Sequence, residues 1–117
     1  MTMQLKSLPH PDGLIIRVDE RRLDAAIATA FKDRIRGMIA TGGIQIILDL
    51  GGVDFMDSSG LGAIIAIYKA MPSGKKLTLT GMTPNVERVF RLTRMDKVLP
   101  IQEWAETPAS SNKRAAE

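Results

Sequence analysis

The 117-residue chain has no cysteine. Disulfides, thiolate zinc sites and cysteine nucleophiles are thereby excluded, and a reducing compartment suits the composition. Histidine occurs once, at His10, which leaves little for base catalysis or metal ligation. Aromatic residues make up 4%, too few for the stacking platforms of single-stranded nucleic-acid binders. No apolar run is long enough to span a bilayer, and the opening MTMQLKSLPH lacks a signal-peptide core. A cytoplasmic protein without a membrane span is expected. Neither charge sign dominates, with 16 basic against 13 acidic residues. The local basic clusters at Arg21–Arg22, Lys32–Arg36 and Arg88–Lys97 each contain or adjoin acids, so no direct nucleic-acid partner is expected.

What is present is the patterning of one ordinary domain, 44% hydrophobic and 25% charged. Residues 1–107 are expected to form it, with the small polar residues 108–117 as a flexible tail. Met3 to Leu8 alternates as an edge strand, Pro9 to Gly13 turns, and Leu14 to Val18 completes a hairpin. Leu23, Ile27, Phe31, Ile35, Met38 and Ile39 form one helical stripe, predicting a helix from Asp24, as N-cap, to about Thr41. Ile44 to Leu50 reads as a central strand. Leu61, Ile64, Ile65 and Tyr68 predict a second helix starting near Ser58 or Ser59. Gly62, Ala63 and Ala66 keep one face of that helix small, so that it can sit close to a neighbour. Lys76 to Thr80 alternates as a strand, Val86 to Leu92 suggests a third helix, and Val98 to Ile101 a last short strand before a segment around Trp104. The order β-β-α-β-α-β-α-β implies a mixed sheet with a parallel crossover, and sites outside the carboxyl ends of its strands.

That position is occupied by FMDSSGLGAII, Phe55 to Ile65. As a hydrolase elbow it lacks the first glycine, Met56 standing there, and His10 is its only histidine base. As a phosphate loop, Gly60-Leu61-Gly62 lacks the third glycine and no GK[ST] follows. Asp49, Asp54 and Asp57 could gather a hard cation, although such residues more often cap and solvate loops. A third reading is covalent modification. With Ser58 at the helix N-cap, a phosphate would add about −1.5 to −2 charges where the helix dipole welcomes them. Such a modification acts on a partner surface, not on the fold.

Residues 48–70, LDLGGVDFMDSSGLGAIIAIYKA, and 81–101, GMTPNVERVFRLTRMDKVLPI, closely resemble the two signature blocks of STAS domains of the bacterial anti-sigma factor antagonist type. Leu23-Asp24 matches the end of the family's G-E-L-D segment. The resemblance implies an α/β fold, a mixed four- to five-stranded β-sheet packed by about four helices. It implies a non-enzymatic phosphoprotein without cofactors, acting by partner switching in signal transduction and transcription regulation. The unmodified form would bind an anti-sigma factor that is also a serine kinase of the histidine-kinase-like ATPase class. The kinase would phosphorylate Ser58 and so release it, and a metal-dependent serine phosphatase would reset it. Carried over onto this chain, Ser58 is the phosphoacceptor, and Asp24, Asp57, Ser58, Ser59, Gly60, Leu61 and Gly62 form the partner-binding set. The alternative within the family is a regulatory subunit outside sigma control, such as a secretion regulator or an accessory subunit of a lipid-transport ATPase.

The chain departs from the family pattern at two places. Glu20-Arg21-Arg22-Leu23-Asp24 lacks the segment's glycine and adds positive charge, which implies a more acidic partner. Thr93-Arg94 stands where the family often has Thr-Gly.

Overall fold

A computed structural model describes residues 3–102. Strands β1 (Leu5–His10) and β2 (Gly13–Val18) form an antiparallel hairpin with Leu5 opposite Val18 and His10 opposite Gly13. The turn sits on Pro11-Asp12, so β1 runs through Pro9 and His10 and past its expected end. An edge strand tolerates that proline, because one of its sides needs no backbone donor. Strands β4 (Gln45–Asp49), β6 (Lys76–Thr80) and β7 (Ile101–Gln102) extend the sheet in parallel, in the order β1-β2-β4-β6-β7.

Helices α1 (Ala28–Thr41), α2 (Ser58–Lys69) and α3 (Pro84–Leu92) make the three crossovers. Each crossover steps the same way across the sheet. The right-handed rule therefore sets all three helices on one face, running parallel to one another. Phe31 and Ile35 of α1, Ile64 and Ile67 of α2, and Phe90 of α3 meet Ile16, Leu48 and Leu79 of the sheet in one core. The strand period of two then turns Ile15, Ile47, Asp49 and Thr80 to the opposite face.

A second, two-stranded sheet pairs β3 (Arg22–Leu23) with β5 (Phe55–Met56) in parallel. Leu23 and Met56 are both buried in the core, so this short ladder pins the approach to α1 against the approach to α2. Two residues carry no readable periodicity, and the sequence pattern shows only a loop there.

Three expectations need correction. The described residues contain three α-helices and one 3-10 turn (Met95–Lys97), against about four helices. Helix α1 begins at Ala28, with Ile27 and not Asp24 in the N-cap position and no side-chain cap. The Asp24 carbonyl instead accepts from the Ile27 and Ala28 N–H groups, closing a separate turn ahead of the helix. The last strand begins at Ile101 and not Val98, because the 3-10 turn takes up Val98, whose N–H donates to the Met95 carbonyl. Trp104 and residues 108–117 lie outside the described residues.

Asp49 ends β4 on the face away from the helices and is 5% exposed. Burial pushes its carboxyl above the usual range, partly offset by the Gly51 N–H at 2.8 Å and by Arg17 at 3.9 Å. Its register neighbour Thr80 is fully buried, with no hydrogen-bond partner for its hydroxyl among the described residues.

Arg94 explains the departure after α3. It holds φ 63°, the left-handed region that a β-carbon disfavours by about 1–2 kcal/mol. Glycine there relieves that strain but loses more chain entropy on folding, so Arg94→Gly is expected to raise stability by roughly 0.5–1 kcal/mol. Chemical denaturation of the two proteins side by side measures it; unchanged or lowered stability would contradict the assignment.

Candidate functional site

The site lies where β4 hands the chain to α2. Asp57, in extended conformation, is the N-cap of α2, and its Oδ1 accepts from the Ser59 and Gly60 N–H groups at 2.9 and 3.0 Å. Its Oδ2 accepts from the Ala25 N–H at 3.3 Å. These donors, Gly60 foremost and then Ala25 and Ser59, hold the Asp57 carboxyl below its usual range despite partial burial. The cap is therefore the aspartate, and Ser58, weighed for that position from the sequence, is the first residue of the helix instead. A carboxylate takes two N–H groups of the first turn and one from the opposite segment, which a hydroxyl cannot match.

Ser58 is thereby left free. It is the first residue of α2, exposed, and its hydroxyl makes no hydrogen bond among the described residues. Ser59 is half-buried, and Gly60 and Leu61 are buried. Gly62 is exposed again. Asp24 is half-buried beside the same turn, its Oδ1 accepting from the Ala26 N–H at 3.1 Å and its Oδ2 meeting Arg22 Nε at 3.2 Å. The fold thus brings all seven predicted partner-binding residues to one corner, but they present themselves differently. Ser58 and Gly62 face outward, whereas Leu61 packs into the core.

The two glycines of DSSGLG have different causes. A β-carbon at Gly60 would stand 2.1 Å from the Leu23 carbonyl oxygen, so backbone approaches backbone there. One at Gly62 would meet nothing within 4 Å. The small face formed by Gly62, Ala63 and Ala66 turns toward α1, which packs closely against α2 as expected, and it borders a shallow groove of about 150 Å³ between the two helices.

The rim arginines are already engaged. Arg21 pairs with Asp54 at 2.7 Å, and Arg22 lies 4.2 Å above the Phe55 ring while bonding Asp24. The expectation that they select an acidic partner is therefore revised, since Asp24, Asp54 and Asp57 outnumber them locally. The Arg22–Phe55 stack was illegible in the sequence, because only the β3–β5 register sets the two residues opposite each other.

The three candidate cation ligands do not converge. Asp49 lies on the far face of the sheet, Asp54 is paired with Arg21, and Asp57 caps α2. No cluster of three such side chains that could hold a metal occurs among the described residues. His10 sits in the β1–β2 turn, its Nδ1 accepting from the Asp12 N–H. That turn is at the opposite end of β4, a strand of five residues, from the loop that leads to Ser58.

The chain belongs to the STAS domain family, whose model matches residues 3–107. The anti-sigma F factor antagonist of Paenibacillus polymyxa is 36% identical over 105 residues, covering 88% of this chain and 89% of that protein. The crystal structure of an anti-sigma factor antagonist from Mycobacterium paratuberculosis superimposes with a TM-score of 0.77 at 21% identity, covering 99% of this chain and 96% of that one. SpoIIAA in its unphosphorylated form gives 0.66 at 24% identity, with 97% of each chain covered. The phosphorylated form of the Bacillus protein gives 0.63 at 20%, covering 97% of this chain and 99% of that one. These structures share the fold of this chain. No helix among the described residues is long and apolar enough to cross a membrane.

Two measurements test this corner. Gly60→Ala is expected to destabilise by about 1–3 kcal/mol, because the Leu23 backbone must yield. Gly62→Ala is expected to stabilise by about 0.5–1 kcal/mol, as for any exposed mid-helix glycine. Equal effects in urea titrations would contradict the distinction. The depressed Asp57 carboxyl gives a second test. Its folded-state pKa lies below the ordinary 3.8, so its contribution is complete above that value and is lost as pH falls through the folded-state value. Asn caps without titrating, so Asp57→Asn is expected to flatten that acid slope. Parallel slopes for the two proteins across the acid range would refute the cap's charge.

Proposed function

We propose that this chain is an anti-sigma factor antagonist whose unmodified form binds an anti-sigma factor and whose phosphorylation on Ser58 ends that binding. The observation that carries the reading is the division of labour at the start of α2. Asp57 does the capping, which leaves the Ser58 hydroxyl exposed and unbonded beside an intact helix terminus. A kinase needs that kind of serine. The partner is an anti-sigma factor of the histidine-kinase-like ATPase class acting as serine kinase, and a metal-dependent phosphatase resets the switch. ATP and metal belong to those proteins, and this chain catalyses nothing. The domain of residues 1–107 works in the cytoplasm as a binding module.

The names of the relatives support the first half of this reading. Support for the second half is that SpoIIAA is known in both phosphorylated and unphosphorylated forms, each with the fold seen here.

Magnitudes are adequate. A switch from 1:99 to 99:1 needs about 5.5 kcal/mol of differential affinity. A phosphate added beside the ionised Asp57 concentrates about three negative charges where a partner docks, and like charges at an interface cost several kcal/mol. The helix dipole meanwhile favours the phosphate by about 0.3–1 kcal/mol, so the domain stays folded.

The test is capture from a lysate of the source bacterium by Ser58→Ala, Ser58→Asp and unmodified protein, followed by incubation of the captured kinase with ATP. Ser58→Ala is expected to retain a kinase of this class and Ser58→Asp to lose it by 100-fold or more in affinity (~2.7 kcal/mol), with phosphate mapping to Ser58 by mass spectrometry. Phosphate confined to other residues, or equal binding by both variants, would falsify the reading. Retention of transporter subunits instead would favour the family role outside sigma control.

A further inference from the structure

We propose that the groove between α1 and α2 is a docking track for an acidic helical segment of the partner. The inference rests on the binding-module reading above and adds to it where the partner lies and what charge it carries.

The groove is lined by Ala28, Thr29 and Lys32 of α1 and by Gly62, Ala63 and Ala66 of α2. It begins beside the switch serine, where the Ala25 N–H bonds Asp57 and ties the two helix starts together. Two parallel helices leave between them a furrow that accepts the side-chain ridge of a third. Small residues along the furrow let that third backbone come close. Gly62 is the clearest sign of this use. Nothing in this chain would touch a β-carbon there, so the fold itself has no steric need for glycine.

Charge identifies the occupant. Lys32 is half-buried on the groove wall, Arg36 follows one turn later on α1, and Lys69 lies three residues beyond Ala66 on α2. None of these three forms an ion pair among the described residues, whereas Arg21 and Arg22 at the rim are both paired. Asp33 is turned about 100° around the axis from Lys32 and stands one turn before Arg36, with which it forms no ion pair among the described residues. The track therefore runs from the anionic Asp57 corner to a cationic far end. A partner segment with small apolar contacts and carboxylates toward that far end matches it.

The test uses the kinase retained by Ser58→Ala, titrated calorimetrically against three proteins: wild type, the triple reversal Lys32→Glu, Arg36→Glu, Lys69→Glu, and the groove-filling Gly62→Leu. Circular dichroism verifies folding, which substitutions at three exposed positions and the half-buried Lys32 on the groove wall should preserve. The triple reversal is expected to weaken binding about 10- to 100-fold and to flatten its salt dependence, and Gly62→Leu to weaken it at least 10-fold. Unchanged affinity for both, with phosphorylated Ser58 still abolishing binding, would overturn the groove and leave the proposed function standing. Weakening by both, with phosphorylation having no effect, would do the reverse. A second arm needs no kinase. Amide resonances of the labelled protein are followed on adding an alanine–glutamate helical peptide, with an alanine–lysine peptide as control. Shifts at Ala28, Gly62 and Ala66 with the acidic peptide alone support the track. Equal shifts with both peptides, or none with either, overturn it.

Discussion

The Asp57 carboxylate is the interaction on which the rest of this corner depends. It holds the first turn of α2 through Ser59 and Gly60, and it reaches across 32 positions of sequence to the Ala25 N–H. Two helix starts are thereby tied to one side chain. The tie works only because Gly60 carries no β-carbon, which lets the Leu23 carbonyl press against α2. The β3–β5 ladder completes the junction by burying Leu23 and Met56. Remove the carboxylate, and the segment before α1 loses its tie at Ala25 along with the cap, leaving the β3–β5 ladder to hold it.

The same junction arranges the charges. Rim arginines that look like free positive potential in the sequence are paired with acids: the β3–β5 pairing brings Asp54 to Arg21, and Asp24 reaches Arg22 from two residues along the chain. Lys32 and Arg36 of α1 and Lys69 at the end of α2, by contrast, form no ion pair among the described residues. Surface pairs contribute little to stability, with a median of about 0–1 kcal/mol, so their main consequence is electrostatic shape. The corner carrying Ser58 is anionic before any modification, and the groove leading away from it is cationic.

Much of this architecture is legible in the sequence, and the illegible parts share a cause. Phe31, Ile35 and Ile39 repeat at helical spacing, and the alternation in Lys76 to Thr80 places Leu77 and Leu79 in the core, as periodicity requires. Ser58 is recognisable from DSSGLG and its position after β4. What escapes is anything set by a single contact, local or long-range, that carries no periodic signal. Asp24 looks like a helix cap, but its carboxylate is drawn to Arg22 and its carbonyl closes a separate turn. The Arg22–Phe55 stack depends on a register of two residues. Gly60 and Gly62 look equivalent in the sequence, and only the Leu23 backbone separates them.

Had Ser58 been the cap, the residue proposed to carry the phosphate would also be the residue closing the helix. Phosphorylation would then alter the helix start, and its effect on binding would be mixed with a change in stability. Placing the cap one residue earlier separates these effects. Asp57 is acceptor-only and charged, so it caps without competing for phosphate. In the proposed switch, Ser58, whose hydroxyl has no hydrogen bond among the described residues, would change charge on a scaffold that has no reason to move. A charge change on a fixed scaffold acts in full on whatever docks there. The separation of cap and neighbour, Asp57 from Ser58, is thus what would allow the proposed switch to sit at the mouth of a core helix without loosening the core.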